Sequence, residues 1–390
     1  MIEATTQLQE GINVAAEPSE SASVDSSSSA SPQQTPLTPS SLPGEQRIIW
    51  ILNPSSHKMS RRRRGRRCTP HMRVRGRGSH REREMENKHF PVEEKWWGDQ
   101  NLQQINGFWF MPMITPAIQQ AISEFKPHPN DVIVASFPKT GTTWVKSLVF
   151  AIINYSSLDS LVKNSPHDLI PFIENDVYGE SSKSSFMSNT SCDTTRIFNT
   201  HIPYQLLGKN FEASGCRVVY ITRNPKDTLN SLWHFVNKWK MTKEAPWEME
   251  EAVEKFCQGI IPDGPYYEHV LGYRTASLKN PDKVFFITYE ELRKDTVTHV
   301  KRLAEFLGCP VAKDNKKVEE IVKSCSFEVL SNHEINKRDE LLTWFPVSKN
   351  AFFRQGTVGD HKKYLNEEAI KRIDALTREK FHECGFIYGI

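Results

Sequence analysis

The sequence of 390 residues contains no run of about 18 apolar residues of the kind that crosses a bilayer as a helix. Its first 30 or so residues lack the basic and apolar segments of a secretory signal. The cysteines are odd in number and show no Cys-x-x-Cys or Cys/His metal spacing. They are Cys68, Cys192, Cys216, Cys257, Cys309, Cys325 and Cys384. These absences predict a soluble cytoplasmic protein with reduced thiols, no membrane partner and no bound metal.

The N-terminal quarter of the chain has little that can form a core. Residues 1–57 are rich in Ser, Pro and Thr and poor in large apolar side chains, so they cannot bury enough surface to offset the loss of chain entropy. Residues 58–88 hold 13 Lys and Arg against three Glu. Aromatic residues become frequent from about Phe90. We therefore expect a disordered extension over 1–89 and a single folded domain over 90–390.

The arginine run at 61–67 allows two interpretations. Clustered arginines bind phosphate well, so the run is a candidate nucleic-acid or nuclear-localisation patch. No aromatic residues alternate with the arginines as they would on a stacking surface, so we favour a solvated extension without a nucleic-acid partner. The first interpretation predicts salt-dependent binding that is lost when residues 1–88 are removed. The second predicts that this truncation leaves any catalysis nearly intact.

The rest of the chain alternates short apolar runs with amphipathic stretches. This order predicts an α/β fold in which helices cover both faces of a central parallel sheet. Ligands of such sheets bind beyond the carboxyl ends of the strands. The predicted strands are DVIVASF (131–137), RIFNT (196–200), RVVYIT (217–222) and KVFFITY (283–289), and the predicted helices cover about 142–155, 226–239 and 296–307.

The first of these strands leads into the segment PKTGTTW (138–144). A glycine turn, the free N–H groups of a helix start, threonine hydroxyls and the mobile cation of Lys139 together make an anion site. The Walker A pattern is absent because the lysine precedes the glycine, and RVVYIT ends at Arg223 where a magnesium-binding Asp would be needed. A phosphoryl-transfer enzyme that uses Mg²⁺ and a nucleoside triphosphate is therefore disfavoured.

Three further segments follow PKTGTTW in a recognisable order: TRNPKDTLNSLWHF (222–235), ITYEEL (287–292) and FFRQGTVGDHKKYL (352–365). From about Gly107 to the C-terminus the chain resembles the cytosolic sulfotransferase family, in particular its plant, flavonol sulfotransferase-like branch. The resemblance implies a P-loop-like sulfotransferase fold. It also implies transfer of a sulfonate group from 3′-phosphoadenosine 5′-phosphosulfate (PAPS) to a hydroxyl of a small organic acceptor, without a metal.

The same resemblance assigns the donor site to four groups of residues. The 5′ end of PAPS would be held by Lys139, Thr140, Gly141, Thr142, Thr143 and Trp144. The 3′-phosphate would be held by Arg223 and Ser231, together with Arg354, Gln355 and Gly356. The adenine pocket would be completed by Tyr289 and Phe327.

The resemblance also implies the chemistry. His201 would act as the general base on the acceptor hydroxyl, and Lys139 would stabilise the oxygen that bridges sulfur to the leaving phosphate. Ser231 would hold Lys139 until the acceptor arrives. Phe172 and Phe235 would line the acceptor pocket, with a contribution expected from 108–110 (Phe-Trp-Phe). Flavonols, sterol-like alcohols and hydroxylated jasmonates all remain open as acceptors.

Some positions depart from the family's usual pattern. Gln355 and His361 stand where the family commonly has Lys and Trp, which predicts weaker PAPS binding. Asn199 stands where animal members often have Lys. The animal dimer motif begins at Lys362 but fails at 366–367, so the sequence does not predict the oligomeric state.

Overall fold

A computed structural model describes residues 92–179, 195–239, 245–342 and 345–390. All of these lie in one compact unit, Ser79–Ile390. The disorder predicted for residues 1–89 and the arginine run lie outside the described residues.

Four parallel strands form the central sheet in the order β5-β4-β6-β7. All five residues of β4 are buried, as expected for a strand covered on both faces. The four predicted strands and the parallel arrangement are confirmed. The strands are β4 (Val132–Ser136), β5 (Ile197–Thr200), β6 (Arg217–Thr222) and β7 (Val284–Thr288).

A second, antiparallel sheet precedes the central one in the chain and was not predicted from the sequence. It has the order β1-β2-β3, and its last strand is fully buried. Its strands are β1 (Glu93–Trp97), β2 (Gln100–Ile105) and β3 (Phe108–Phe110).

The helices of the described residues alternate with the central strands, and the three predicted helices are present with slightly shorter bounds. The α-helices are α1 (Thr115–Glu124), α2 (Thr142–Ile153), α3 (Ser160–Lys163), α4 (Pro166–Leu169), α5 (Tyr204–Ser214), α6 (Pro225–Val236), α7 (Met249–Gln258), α8 (Tyr266–Lys279), α9 (Tyr289–Lys294), α10 (Thr296–Phe306), α11 (Asn315–Ser324), α12 (Phe327–Asn332), α13 (Glu334–Lys337) and α14 (Glu367–Thr377). Short 3₁₀ segments lie at Tyr155–Ser157, Pro310–Lys313, Lys349–Phe352 and Asp360–Lys363, and π-helical turns at Ile173–Val177 and Arg378–His382. Within the part of the chain that is described, every helix is too short or too polar to cross a membrane.

Two hydrophobic cores lie on opposite faces of the central sheet. Along β4, Ile133 and Ala135 belong to one core, whereas Val132 and Val134 belong to the other. This alternation follows from the two-residue period of a strand. It confirms that both faces of the sheet are covered.

Each central strand is followed closely by a predicted site residue or by the predicted phosphate loop. The 138–144 loop follows β4, and His201 follows β5. Arg223 follows β6, and Tyr289 follows β7. Because the strands are parallel, all four carboxyl ends lie at the same edge of the sheet. The chemistry-bearing residues are thus gathered at this edge.

Candidate active site

One cavity at this edge brings together nearly all of the predicted site residues. Its wall includes Lys139, Gly141, Thr142, Thr143, Trp144, Phe172, His201, Arg223, Ser231, Phe235, Tyr289, Phe327, Arg354, Gln355 and Gly356. Among the predicted residues, Thr140 is not part of the wall. Its hydroxyl lies 2.7 Å from the carbonyl oxygen of Phe137 and 3.0 Å from that of Ile221, and the side chain is fully buried. Only its backbone remains for ligand binding.

The loop between β4 and α2 has the backbone shape of an anion site. Lys139 and Gly141 both have positive φ angles, 68° and 113°. Helix α2 begins at Thr142, so its first N–H groups have no acceptor within the helix. A Cβ atom at Gly141 would lie 2.8 Å from Cδ2 of Tyr289. Glycine is therefore required here both by conformation and by the close approach of the ring.

The other two threonines of the loop reach different partners. The hydroxyl of Thr142 lies 2.7 Å from Oγ of Ser136, at the end of β4. The hydroxyl of Thr143 lies 3.0 Å from Nε2 of His167, a buried residue of the cavity wall. Burial holds the pKa of His167 well below its ordinary value, so the ring is neutral. His167 was not identified from the sequence.

The ammonium of Lys139 lies among aromatic rings and other cations. Its Nζ atom is 3.7 Å from the ring centroid of Phe235. Within the described residues no carboxylate forms an ion pair with it. Burial, together with the charges of Lys238, Arg354 and Arg223, lowers its pKa to about 7. A cation in this position gains from a bound anion, which would supply the missing countercharge.

Arg223 is buried where β6 ends. Its Nη2 atom donates to the carbonyl oxygen of Thr357 at 2.6 Å and lies 3.5 Å from Oδ2 of Asp227. Its Nε atom is buried without a hydrogen-bond partner in the described residues. Its guanidinium carbon lies 4.8 Å from the ring centroid of Tyr289. The guanidinium is thus fixed in the wall and keeps one N–H unused.

The C-terminal segment 354–361 is tied to helix α6 and to Tyr289. Arg354 pairs with the buried Asp360 at 2.6 Å. The hydroxyl of Tyr289 donates to the carbonyl oxygen of Gly356 at 2.8 Å. Asp227 accepts hydrogen bonds from the backbone and ring of His361. His361, a departure from the family pattern, therefore fastens this segment to α6.

His201 lies at the end of β5 with its ring in the cavity wall. Its Nδ1 atom is 2.6 Å from the carbonyl oxygen of Ser136, and since a carbonyl only accepts, Nδ1 carries the proton. Nε2 then holds a lone pair. Burial lowers the pKa of the ring to about 3, which keeps it neutral, although the bond to Ser136 opposes this shift. The arrangement is that of a base that is unprotonated before reaction.

A buried carboxyl group supports His201. Glu174 accepts the backbone N–H of His201 at 2.7 Å and the hydroxyl of Thr200 at 2.9 Å. Burial raises its pKa to about 7. The π-helical turn that begins at Ile173 brings Glu174 to this place, after a bridge between Phe172 and Asn199. This short turn has no periodic pattern in the sequence, so Glu174 was not predicted.

The remaining wall of the cavity is largely aromatic. The ring of Phe172 lies 5.1 Å from that of His201, and the ring of Phe235 lies 5.1 Å from that of Phe352. Phe352 was not identified from the sequence. The expected contribution of residues 108–110 is not found, because they form the buried strand β3 and none of them lies in this wall. Trp109 instead forms backbone hydrogen bonds to 263–264, a segment that does reach the cavity.

Among the described residues, no group of three or more His, Cys, Asp or Glu side chains is placed to hold a metal ion.

Comparison with known proteins identifies the family that the sequence motifs resemble, over most of the described chain. The sulfotransferase domain matches residues 129–385. Cytosolic sulfotransferase 17 of Arabidopsis thaliana is 41% identical over 311 residues, which cover 76% of this chain and 87% of that protein. Flavonol 4′-sulfotransferase of Flaveria chlorifolia is 39% identical over 296 residues, 73% of this chain and 88% of that protein.

A solved structure agrees with these sequence matches. The crystal structure of a mouse sulfotransferase complexed with PAP is 25% identical, with a TM-score of 0.58, and covers 73% of this chain and 95% of that one. The predicted α/β sulfotransferase fold is confirmed. The chain is an enzyme of the sulfotransferase family and belongs with its plant cytosolic members.

Proposed function

We propose that the protein transfers the sulfonate group of PAPS to a hydroxyl of a small, largely apolar acceptor, with His201 as general base. The observation that carries the proposal is a neutral histidine and a lysine that has no carboxylate partner among the described residues, both of which face one cavity at the carboxyl edge of the sheet. The curated relatives are named cytosolic enzymes, and we place this protein in the cytosol as well.

The residues present fit the charge and shape of PAPS. PAPS, when bound, supplies the activated sulfonate group. The loop N–H groups with the hydroxyls of Thr142 and Thr143 suit its 5′ end. Arg223, through its unused Nε–H, and Ser231 suit the 3′-phosphate, with Arg354, Gln355 and Gly356 closing from the C-terminal segment. Trp144, Tyr289 and Phe327 offer aromatic faces to the adenine.

His201 holds the proton that leaves the acceptor. Its Nε2 lone pair receives the hydroxyl proton as the acceptor oxygen attacks sulfur in line with the leaving phosphate. The bond from Nδ1 to Ser136 fixes the ring and its tautomer. Glu174 holds the backbone of His201, and in its ionised form it favours the imidazolium that forms.

Lys139 acts at the other end of the broken bond. Negative charge develops on the oxygen that bridges sulfur to the leaving phosphate, and a nearby ammonium stabilises it. Ser231, on α6 in the same wall, is a candidate to hold Lys139 before the acceptor arrives.

The acceptor side of the cavity suits an aromatic or polycyclic alcohol. Its wall contains Phe172, Phe235, Trp239, Phe345 and Phe352, which favour a flat apolar body. A relative is named for a flavonol, and a phenol of that kind is the acceptor class that we propose.

The proposal is tested by incubating the purified protein with PAPS labelled in the sulfonate group and a panel of phenols, sterols and hydroxylated fatty acids. Binding of PAP is measured separately by calorimetry. We expect labelled product from phenols, and PAP binding with or without acceptor. A protein that binds no PAP and transfers no label to any acceptor would overturn the proposal.

A further inference from the structure

Asp263 occupies an unusual place in the wall of the cavity. It lies in the loop between α7 and α8 and is 8% exposed. Its backbone N–H donates to the carbonyl oxygen of Trp109 at 2.7 Å, and Trp109 donates in turn to Gly264 at 2.7 Å. Two hydrogen bonds to strand β3 therefore hold this loop against the cavity.

The backbone of Asp263 is in the left-handed region, with φ of 62°. Residues other than glycine adopt this conformation at a cost, and it persists where the surroundings fix it. Strained residues of this kind are concentrated at binding and catalytic sites. Here the left-handed position carries an aspartate instead of the usual glycine, and its carboxyl side chain lines the cavity.

The carboxyl group of Asp263 has no hydrogen-bond or ion-pair partner among the described residues. Burial raises its pKa well above the ordinary value, and the nearby Glu174 raises it further. Glu174 differs from it, because both of its oxygens are engaged by 200–201. The carboxyl oxygens of Asp263 are not among the fully buried unpaired atoms of the described residues, so they can be reached from the cavity.

The wall of the cavity contains both cations and carboxyl groups. Its cations are Lys139, Arg223, Lys238 and Arg354, and its carboxyl groups are Glu174 and Asp263. Glu174 accepts the backbone N–H of His201 and raises the pKa of Asp263. Helix α8, which follows Asp263, also reaches His201, since Nε2 of His269 lies 2.9 Å from the carbonyl oxygen of His201. Asp263 is therefore on the side of the base, where the acceptor lies under the proposed function. Its unused oxygens are available to that acceptor.

We propose that Asp263 selects acceptors that carry, besides the hydroxyl that is sulfonated, a second hydrogen-bond donor such as another hydroxyl or an amino group. The inference rests on the proposed function and narrows its substrate class. Acceptors whose second polar group is a carboxylate are disfavoured, because a carboxylate has no hydrogen to donate and its charge would be buried in the cavity wall. Polyhydroxylated phenols fit this rule, and hydroxy acids do not.

The experiment compares phenols that differ only at the far end of a para side chain. They are para-ethylphenol, tyrosol, tyramine and para-hydroxyphenylacetate, which end in methyl, hydroxyl, amino and carboxylate groups. The measured quantity is kcat/KM for each acceptor relative to para-ethylphenol, in wild type, Asp263→Gly and Asp263→Asn. Glycine removes the carboxyl without strain at this φ, and asparagine keeps hydrogen bonding without charge. Asn106→Gly, at another positive φ outside the cavity wall, is the matched control.

We expect wild type and Asn106→Gly to favour tyrosol or tyramine over para-ethylphenol, and to transfer least to the carboxylate. Asp263→Gly should reduce the preference on the order of 10-fold. In Asp263→Asn the preference for tyramine should fall, because asparagine cannot form an ion pair with an ammonium, whereas the preference for tyrosol should remain, because the amide still bonds to a hydroxyl. The inference would be overturned if Asp263→Gly had the same kcat/KM for tyrosol and for tyramine, each relative to para-ethylphenol, as wild type.

Failure of the inference is distinguishable from failure of the proposed function. Transfer to para-ethylphenol by wild type tests the function alone, since this acceptor has no second polar group. Calorimetric binding of tyrosol to the PAP complex gives a readout that does not need turnover. Equal tyrosol affinity in wild type and a folded Asp263→Gly protein would contradict the role of Asp263 even if no acceptor were sulfonated.

Discussion

Nδ1 of His201 lies 2.6 Å from the carbonyl oxygen of Ser136, so the end of one central strand fixes the imidazole that follows the next strand. The two strands, β4 and β5, are hydrogen-bonded neighbours. The tautomer is thus set by the sheet itself, and the Nε2 lone pair is the part of the ring left for chemistry.

Replacing His201 should remove transfer but not donor binding. General base catalysis contributes about 10²–10⁴-fold, so we expect His201→Ala to lower kcat by that factor. His201→Asn is the sharper variant, because its amide nitrogen can still donate to Ser136 while no base remains. Both proteins should bind PAP within about two-fold of wild type, as calorimetry will report. His201→Asn with more than a tenth of wild-type kcat would rule out the assignment of the base.

The loss of activity at alkaline pH should reflect deprotonation of Lys139. Burial lowers its pKa to about 7, so in the free enzyme the ammonium is charged below that pH and loses its charge above it. Since kcat/KM reports the free enzyme, kcat/KM for PAPS should fall as pH rises above about 7. Bound phosphate favours the charged form, so the decline in kcat should begin at higher pH.

Lys139→Arg provides the control for this pH profile. Arginine stays charged throughout the accessible range, so the variant should be slower but should lose the alkaline decline. A decline that persists unchanged in Lys139→Arg would assign it to another group. Lys146 is the alternative, since burial lowers its pKa to about 7 as well.

Two glycines of one loop make a matched pair for the donor site. Gly356 and Gly359 both have positive φ, 62° and 82°. A Cβ at Gly356 would lie 2.7 Å from Cδ2 of Phe327, whereas one at Gly359 would meet nothing within 4 Å. Each change to alanine costs roughly 1–2 kcal/mol of backbone strain. Only Gly356→Ala should also displace Phe327 and weaken PAP binding, on the order of 10-fold.

Thermal melting and calorimetry with PAP separate the two effects. The melting temperatures of Gly356→Ala and Gly359→Ala should fall by similar amounts, because both share the strain. Equal PAP affinity in the two variants would mean that Phe327 does not contact the nucleotide, and the adenine pocket would need another wall.

The sequence was sufficient to predict the central sheet and most of the residues that line the cavity, for a physical reason. Strands such as VIVAS are buried on both faces and therefore read as continuous apolar runs. The residues that we assign to the donor site stand directly after the strands, as Arg223 stands after β6, so a correctly predicted strand also gives the position of the residue. The direction of a side chain is not encoded in this way, and the hydroxyl of Thr140 turned out to face the core.

The carboxyl groups on the side of the cavity that we assign to the acceptor were not predicted from the sequence. Glu174 reaches His201 through a π-helical turn, and Asp263 reaches the cavity through hydrogen bonds to Trp109. Both depend on contacts between segments far apart in the chain, which leave no periodic pattern in either segment. Strand β1 was also missed, because its first three residues are exposed and charged.

Gln355 offers a way to strengthen the donor site. Its side chain is exposed in the cavity wall, on the segment that carries Arg354 and Gly356. Gln355→Lys adds a cation beside the site that we assign to the 3′-phosphate. An exposed ion pair contributes about 0.2–1 kcal/mol, so we expect PAP to bind up to about five-fold more tightly at low salt. The gain should shrink as the salt concentration rises.

Val358→Lys is the control for Gln355→Lys. Val358 is 50% exposed on the same segment but outside the cavity wall, so the added charge is the same and its position is not. If the cation acts on a bound phosphate, calorimetry at low salt should show tighter PAP binding for Gln355→Lys and little change for Val358→Lys. An equal gain in both variants would mean that only the net charge of the segment matters, and Gln355 would then have no place in the phosphate site.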